Sequence, residues 1–377
     1  MFHERHALAP AARELLAAAD PAFAGASLDV SDGDDMFRFH VLLATSASEA
    51  VLGYFGTAAA IQASMDLVVR WHFGSWDAVG SFLDFASGFG RSTRLLVRRL
   101  PADRVSVGEI QDAALRFQAS TFGVQPVSSG VDGIELADDV VFDAVFVISL
   151  FSHLPADGFE AWLARLWDRV GPDGVLAFST HRADHAPPDA DLTTGLHFMP
   201  QNEIPSLDVH RYGTSFVTDE YVRGVVARVC GTEAAARVQR VEGLFGIQDL
   251  YVVARSERNP EPIAPPAPAV QGHLDGVTID GSRVTVGGWA LCASDVPAVT
   301  PAILATVDGA PVMASTGSRR ADVADHFGRN ADIGYVFSGW HATFDVPPGT
   351  DPQLTIIARA GSQERMLFAG PVSSLPR

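Results

Sequence analysis

The chain contains no lysine: all 27 cationic side chains among its 377 residues are arginine. No lysine amine is present to bind pyridoxal phosphate or to serve a phosphate-binding loop. Pyridoxal enzymes and P-loop nucleoside triphosphatases are therefore excluded. The formal net charge of −18 also disfavours nucleic acids and anionic membrane surfaces as partners.

Cysteine is scarce, and long apolar runs are missing. Cys230 and Cys292 lie far apart, with no CxxC pair or Cys/His cluster, so we expect neither a disulfide framework nor a zinc or other metal site. No stretch approaches 18 uninterrupted apolar residues, and the first 20 residues lack a continuous apolar segment. We therefore expect a cytoplasmic protein with no membrane insertion.

What is present is enough apolar sequence, 47% of residues, for two or three folded domains. Closely spaced prolines forbid a helix after residue 258 and favour an extended spacer, which predicts a linker at 258–269. In 1–257, helical patterns alternate with short apolar runs, which predicts α/β units on a largely parallel sheet, with N-terminal helices at 8–20 and 46–72 covering it. In 270–377, short strands and Asp-Gly turns predict a β-sandwich, with a helical turn or two near 320–327.

The most informative segment is a strand, a glycine turn and a helix. Asp84 and Phe85 end the predicted strand, Ala86, Gly88 and Gly90 form the turn, and free amides at the following helix start favour an electron-rich ligand. Alone, this pattern is equally compatible with an ordinary tight turn. The next strand ends at Glu109, about 20 residues later, where doubly wound folds bind ribose hydroxyls.

At this point the sequence resembles the class I S-adenosylmethionine-dependent methyltransferases. Asp84, Gly88 and Gly90 match the first motif of that family, 142–155 is similar to its fourth strand and following loop, and 171–179 is similar to the entry of its fifth strand. Residues 248–254 are similar to its closing antiparallel strand, so the resemblance covers roughly 50–257. It implies a Rossmann-like doubly wound sheet with S-adenosylmethionine as cofactor.

The resemblance also implies roles for individual residues. The methionine end of the cofactor would be held by the turn residues Asp84, Phe85, Ala86, Gly88 and Gly90. Glu109 would hold the ribose, and Ile110 would contact one face of adenine. Ser149 and Leu150 would line the cleft, and Tyr54 and Gly56 would belong to a segment that closes over the cofactor in bacterial members. The acidic residue often found near adenine after the third strand is replaced around Ser128 and Ser129. Either Asp132 substitutes for it, or the backbone alone holds adenine.

Methyl transfer to an oxygen requires a base, and two histidines follow predicted strands. His153 and His181 are our candidate catalytic residues, although a histidine is as often a loop cap or a shaping residue. The segment 211–217 resembles part of bacterial methyltransferases found in surface-polysaccharide gene settings. Arg211 and Tyr212 could contact a sugar or phosphate, or Tyr212 could simply pack in the core.

The C-terminal region resembles small Ig-like β domains appended to bacterial glycan-processing enzymes, through Gly-Trp-Ala at 288–290 and Arg-x-Asp-Val at 320–323. Trp289 and Trp340 could stack on sugar rings, although tryptophans on sandwich strands are more often core residues.

Three functions follow as hypotheses. The favoured one is an O-methyltransferase acting on a glycan or a nucleotide- or lipid-linked sugar; a small-molecule O- or N-methyltransferase is the second. The third is a non-catalytic scaffold of a polysaccharide assembly system. Homo-oligomers or glycan-assembly partners binding through the C-terminal domain are possible in each.

Overall fold

A computed structural model describes residues 9–43, 47–137, 139–201, 207–244, 247–263, 269–293, 300–329, 332–360 and 363–375. The chain divides into two compact units. Unit 1 comprises Met1–Ala24, Phe37–Ala60 and Pro265–Arg377; unit 2 comprises Gly25–Met36 and Ile61–Ala264. This division groups the first helices with the C-terminal region, whereas we predicted them with the α/β domain; the boundaries at 1–257, 258–269 and 270–377 stay a prediction.

The N-terminal region is helical, as predicted. Helices α1 (Ala9–Ala19) and α3 (Ala47–Phe73) correspond to the two predicted ones, and α2 (Asp35–Leu43) was not predicted. The part of α3 that belongs to unit 2 places Ile61, Met65, Val68 and Val69 on one apolar stripe, because residues at this spacing share a helix face. Among the described residues, no helix is both long and apolar enough to cross a membrane.

Across the described part of unit 2, nine strands form one sheet, whose first five members are parallel in the order β3-β2-β1-β4-β5. Strand β9 then pairs antiparallel with β5, and β8 pairs antiparallel with β9. The strand order reverses between β1 and β4, which is the switch point at which open α/β sheets bind ligands. The Rossmann-like fold class is confirmed. The strands are β1 (Phe82–Phe85), β2 (Val105–Glu109), β3 (Gln125–Ser128), β4 (Phe142–Val147), β5 (Val170–Arg182), β6 (Leu196–Met199), β7 (Thr214–Val217), β8 (Gln239–Leu244) and β9 (Gln248–Ala254).

Helices cover both faces of this sheet. The central strands β1 and β4 are mostly apolar and almost entirely buried, as is typical of parallel sheets that are covered on both faces. One apolar cluster joins the sheet to α6 and α7, and the other joins it to α3 and α5. The helices that follow β1 are α4 (Thr93–Leu96), α5 (Asp112–Phe122), α6 (Ala156–Trp167), α7 (Asp219–Cys230) and α8 (Thr232–Ala236).

The hairpin of β6 and β7 lies at the carboxyl edge of the sheet. Strand β7 pairs in parallel with only the last two residues of β5, His181 and Arg182, whereas β4 stops pairing with β5 at Phe178. The hairpin therefore extends the sheet beyond the end of β4, next to the loop that follows β4.

The C-terminal part of unit 1 forms two four-stranded antiparallel sheets within its described residues, in the orders β10-β11-β15-β14 and β13-β12-β16-β17. Apolar residues of both sheets share one core, as expected for a sandwich. The predicted Asp308-Gly309 turn has positive φ at both residues and joins β12 to β13. The elements are β10 (Ala269–Asp280), β11 (Arg283–Ala293), β12 (Ala302–Val307), β13 (Ala310–Val312), β14 (Ala314–Ser318), α9 (Ala321–His326), α10 (Ile333–Val336), β15 (Gly339–Asp345), β16 (Gln353–Ala360) and β17 (Gln363–Pro371).

Part of the predicted linker is attached to unit 2. The indole Nε1–H of Trp71 donates to the carbonyl of Glu261 at 2.7 Å, and the backbone N–H of Ile263 donates to Gln239 Oε1 at 3.2 Å. Ile263 is 6% exposed and belongs to the core under α3. The remaining prolines at 265, 266 and 268 lie outside the described residues.

Candidate functional site

Asp84 and Glu109 lie near the carboxyl ends of the neighbouring strands β1 and β2. Asp84 is 2% exposed, and its Oδ2 lies 2.8 Å from Thr93 Oγ1 and 3.2 Å from Ser92 Oγ. Burial raises the pKa of Asp84 to about 6, although the two hydroxyl contacts act in the opposite direction. The Asp84 carboxyl group thus lies near the carboxyl end of β1, as the sequence predicted.

Glu109 holds the glycine turn from the neighbouring strand. Its Oε2 accepts a hydrogen bond from the backbone N–H of Gly88 at 2.8 Å, and its Oε1 accepts from Ile110 and Gln111 at 2.9 and 3.2 Å. Burial raises the pKa of Glu109, and the three N–H groups partly offset this effect. The carboxylate is thus fixed in orientation, with lone pairs left for a further donor.

The turn between β1 and α4 has one packed face and one open face. Ala86, Gly88 and Gly90 all have φ between 56° and 74°, the left-handed region in which side chains are strained. A Cβ on Gly90 would lie 2.5 Å from Phe122 Cε2, whereas a Cβ on Gly88 would meet nothing within 4 Å. Gly88 therefore leaves room for a ligand, and Gly90 is required for packing.

Gln118 of α5 completes the turn, and our sequence reasoning missed it. This fully buried amide donates from Nε2 to the carbonyl of Gly88 at 2.7 Å and to Ser87 Oγ at 2.8 Å. The available signal was an amide on the apolar face of a helix, in register with Ala114 and Phe122. A buried polar residue at such a position needs partners, and here the turn supplies them.

The other predicted cofactor residues of unit 2 have different environments. Ile110 is 37% exposed directly after Glu109, so an apolar surface is available there. The side chains of Phe85 and Leu150 contact the core cluster around α6, so a ligand could meet these two residues mainly through their backbone. Ser149 has a strained φ of 63°; its N–H donates to Ser179 Oγ at 2.8 Å, and Gln248 Nε2 donates to its Oγ at 3.1 Å.

Tyr54 and Gly56 lie in the part of α3 that belongs to unit 1. The Tyr54 ring is fully buried and makes edge contacts with Phe37, His40 and Phe55 at centroid distances of 5.3 to 6.0 Å. A Cβ on Gly56 would meet nothing within 4 Å. Tyr54 is therefore a packing residue within its own unit, and the closing role of this segment stays a prediction.

The two candidate catalytic histidines lie together at the ends of β4 and β5. Their ring centroids are 5.8 Å apart. His153 Nδ1 lies 2.6 Å from the carbonyl of Gly213, and His181 Nδ1 lies 3.2 Å from that of Ser215. Because a carbonyl only accepts, His153 Nδ1 carries the proton and its Nε2 is the basic nitrogen of the neutral ring, whereas the His181 ring interacts with two carbonyls, those of Ser215 and Ser152. Burial and the neighbouring His153 lower the pKa of His181 to about 4.

The segment before β7 surrounds His153. The Tyr212 ring stacks on the His153 ring at 4.6 Å, and the backbone N–H of Gly213 donates to the His153 carbonyl at 2.8 Å. A Cβ on Gly213 would overlap the carbonyl oxygen of Met199. Arg211 forms an exposed ion pair with Asp132, so the Asp132 side chain is directed to the segment before β7.

The tryptophans of the C-terminal sheets pack within unit 1. Trp340 is 2% exposed and belongs to the core between the two sheets, so it does not offer a face to a sugar. Trp289 is partly buried and contacts Phe327 at 5.6 Å. Of the two readings that the sequence left open, the core reading is the one this geometry favours.

No family model matches the chain, and no curated protein matches it. Among solved structures, it is similar to Streptomyces venezuelae DesVI (18% identity, 60% of this chain and 100% of the other, TM-score 0.40). It is similar to CalS10, an amino pentose methyltransferase from Micromonospora echinaspora (18%, 54% and 92%, TM-score 0.38). A third is the Burkholderia thailandensis 1,6-didemethyltoxoflavin-N1-methyltransferase (20%, 52% and 77%, TM-score 0.36).

Proposed function

We propose that unit 2 is an S-adenosylmethionine-dependent methyltransferase. The observation that carries this proposal is the arrangement of Asp84 and Glu109 around a glycine turn with one open face, at the switch point of a doubly wound sheet. Such switch points bind ligands in open α/β proteins. The sequence resemblance described above identifies the ligand class.

The residues present fit an adenosyl cofactor. Glu109 offers fixed acceptor oxygens to a ribose diol, and the exposed Ile110 beside it offers an apolar face to adenine. The open side of Gly88 allows the ligand to approach the backbone, and Asp84 supplies a carboxyl group to a cationic amino acid end. Residues at and just after the ends of β1 and β2 thus offer partners to the ribose, the adenine and the amino acid end of the cofactor.

The bound cofactor would supply a methyl group on a sulfonium, which is already an activated leaving group, so the remaining requirement is to position the acceptor in line. The acceptor would lie at the ends of β4 and β5. For an oxygen acceptor, we assign proton removal to His153, whose Nδ1 bond to Gly213 fixes Nε2 as the basic nitrogen. His181, with a pKa of about 4, is too weak a base at neutral pH for this role.

We further propose a glycan or a nucleotide- or lipid-linked sugar as the acceptor, because Tyr212 and the Arg211–Asp132 pair offer a ring face and charged hydrogen-bonding groups beside His153. A small-molecule O- or N-methyltransferase is the alternative. The same proposal includes a cytoplasmic location for the protein. It also includes homo-oligomers or glycan-assembly partners that bind through the C-terminal sheets. A scaffold without turnover is the rival function.

Calorimetric titration of the full chain with S-adenosylhomocysteine tests the cofactor assignment. We expect one-to-one binding by protein shown by mass spectrometry to carry no adenosyl ligand. Glu109→Ala removes a charged acceptor and should weaken binding by about 1.5–3 kcal/mol for each hydrogen bond lost. Glu160→Ala is the matched control, because Glu160 is an exposed carboxylate of α6 paired with Arg228.

Binding lost in Glu109→Ala and kept in Glu160→Ala, with both variants folded by circular dichroism, supports the assignment. Equal affinity in both variants would place the cofactor elsewhere. Binding by the wild type without transfer of labelled methyl groups to any acceptor of a sugar panel would count against a sugar acceptor, and absence of transfer to a panel of small-molecule acceptors as well would favour the scaffold function.

A further inference from the structure

Three buried polar side chains, those of Asp84, Thr93 and Gln118, contact one another next to the glycine turn. The proposed function gives a role to Asp84 but none to Thr93 or Gln118. Thr93 Oγ1 lies 2.8 Å from Asp84 Oδ2 and also 2.8 Å from Gln118 Oε1. All three side chains are buried. Their hydrogen bonds therefore have to be satisfied among themselves and with the turn.

The orientation of the Gln118 amide is fixed by the turn. Its nitrogen lies 2.7 Å from the carbonyl oxygen of Gly88, which only accepts, and 2.8 Å from Ser87 Oγ. Rotating the amide by 180° would place Oε1 against that carbonyl. Both N–H groups of Gln118 are thus directed to the turn, and Oε1 faces Thr93 as an acceptor.

Thr93 has one hydroxyl proton and two neighbouring oxygen atoms at the same distance. If that proton goes to Gln118 Oε1, a lone pair of Thr93 faces Asp84 Oδ2. If Asp84 were ionised, one of the two 2.8 Å contacts would therefore join two acceptors. A proton on Asp84 Oδ2 satisfies every contact: Asp84 donates to Thr93, Thr93 donates to Gln118, and Gln118 donates to the turn.

We propose that Asp84 is mostly protonated in the free protein at mildly acidic pH and releases this proton when the cationic amino acid end of the cofactor binds, with Gln118 as the positioning residue that takes the Thr93 proton away from Asp84 and so favours the neutral form. The Oδ2–H bond breaks, the proton passes to the solvent, and the carboxylate charge is then balanced by the ammonium group of the ligand. This inference rests on the proposed function.

The charges around Asp84 agree with it. Glu109 at the end of β2 raises the pKa of Asp84 by its charge, in addition to the effect of burial. Arg94 of α4 directs Nη1 to the carbonyls of Ser27 and Asp29. Strand β4 faces Asp84 in the sheet with Phe146, which carries no charge, and the Ser92 hydroxyl at 3.2 Å acts in the opposite direction by lowering the pKa of Asp84.

The test is titration of the full chain with S-adenosylhomocysteine in buffers of different ionisation enthalpy, which counts the protons released on binding. A pKa of about 6 corresponds to release of about 0.75 proton at pH 5.5 and about 0.1 at pH 7.0. Affinity should accordingly rise about fourfold from pH 5.5 to pH 7.0. Binding with no proton release at pH 5.5 would overturn the inference and leave the proposed function intact, whereas no binding at either pH would count against the proposed function itself.

Gln118→Met tests whether Gln118 controls the protonation of Asp84 through Thr93 or only supports the fold of the turn. Without Oε1, the Thr93 proton is free to stabilise ionised Asp84, so we expect the proton count at pH 5.5 to fall by at least half, even if the overall affinity changes. Gln62→Met is the matched control, because Gln62 is another fully buried amide of unit 2, on α3. An unchanged proton count in Gln118→Met, or an equal fall in Gln62→Met, would contradict the role assigned to Gln118.

Asp84→Asn gives a second readout that needs no ligand. A carboxyl whose pKa is raised on folding destabilises the folded state once the pH exceeds its unfolded value near 3.8, and the full effect is reached above about pH 6. The amide cannot ionise, so Asp84→Asn should raise Tm relative to wild type at pH 7.5 and lose this gain at pH 4. A gain of the same size at both pH values would contradict a neutral Asp84.

Discussion

The carboxyl edge of the unit 2 sheet has two halves that are built in different ways. In the carboxylate half, at the ends of β1 and β2, the groups that hold one another lie within 31 positions of sequence, as in the Gln118–Ser87 contact. In the histidine half, at the ends of β4 and β5, His153 is held by Gly213, which lies 60 positions away. The carboxylate half is a local motif, whereas the histidine half depends on a hairpin inserted after β5.

The largest effect we expect distinguishes the two glycines of the carboxylate half. Gly90→Ala combines a left-handed φ with overlap against Phe122 and should lower the free energy of unfolding by about 3 kcal/mol. Gly88→Ala meets open space and should cost only about 1 kcal/mol from backbone strain. Urea denaturation of both variants checks this difference, and equal losses would mean that Gly90 is not packed as described.

Gly213→Ala tests the histidine half in the same way. The added methyl overlaps the carbonyl of Met199, so the backbone of Gly213 must move and its hydrogen bonds with His153 should break. We expect loss of methyl transfer of at least tenfold, with the affinity for S-adenosylhomocysteine within twofold of wild type. A parallel fall in cofactor affinity would show that the two halves are not separate.

His181 should make the stability of the histidine half depend on pH. Its pKa falls from 6.5 to about 4 on folding, so the unfolded chain binds more protons between these values and stability is lost as pH falls from 6.5 to 4. Against His181→Gln, which does not titrate, the wild type should lose about 2 kcal/mol between pH 7 and pH 4.5. Chemical denaturation at both pH values measures this double difference, and a value near zero would place His181 in water.

The smallest effect is expected at the exposed ion pair of Arg211 and Asp132. Asp132 is exposed and bound to Arg211, so Asp132→Asn should leave the affinity for S-adenosylhomocysteine within twofold of wild type. Calorimetry of this variant decides between the two readings of adenine binding that the sequence left open. A tenfold loss would restore Asp132 as an adenine ligand.

The same contrast explains what the sequence could predict. Asp84, Gly88, Gly90 and Glu109 follow from local patterns, because a strand end, a tight turn and the next strand end are each encoded within a few residues. The sandwich strands followed from short apolar runs and turn residues in the same way, whereas the doubly wound sheet was implied by the family resemblance.

What could not be predicted depends on distant contacts. Gln118 is an unremarkable helical glutamine until α5 is packed on the turn, and the neighbours of His153 are known only when the β6–β7 hairpin has its place beside β4. The resemblance implied that Phe85 holds the methionine end of the cofactor and that Leu150 lines the cleft, but the side chains of both residues contact the core cluster around α6. Position at an edge fixes the backbone, and packing decides where the side chain goes.

Hydrogen exchange with and without S-adenosylhomocysteine is the most direct test of the central claim that the carboxylate half binds the cofactor. Ligand contact should slow amide exchange in peptides covering 84–92 and 109–118, while peptides covering 207–217 should exchange at unchanged rates. Protection confined to 207–217, with none at 84–92, would contradict the account.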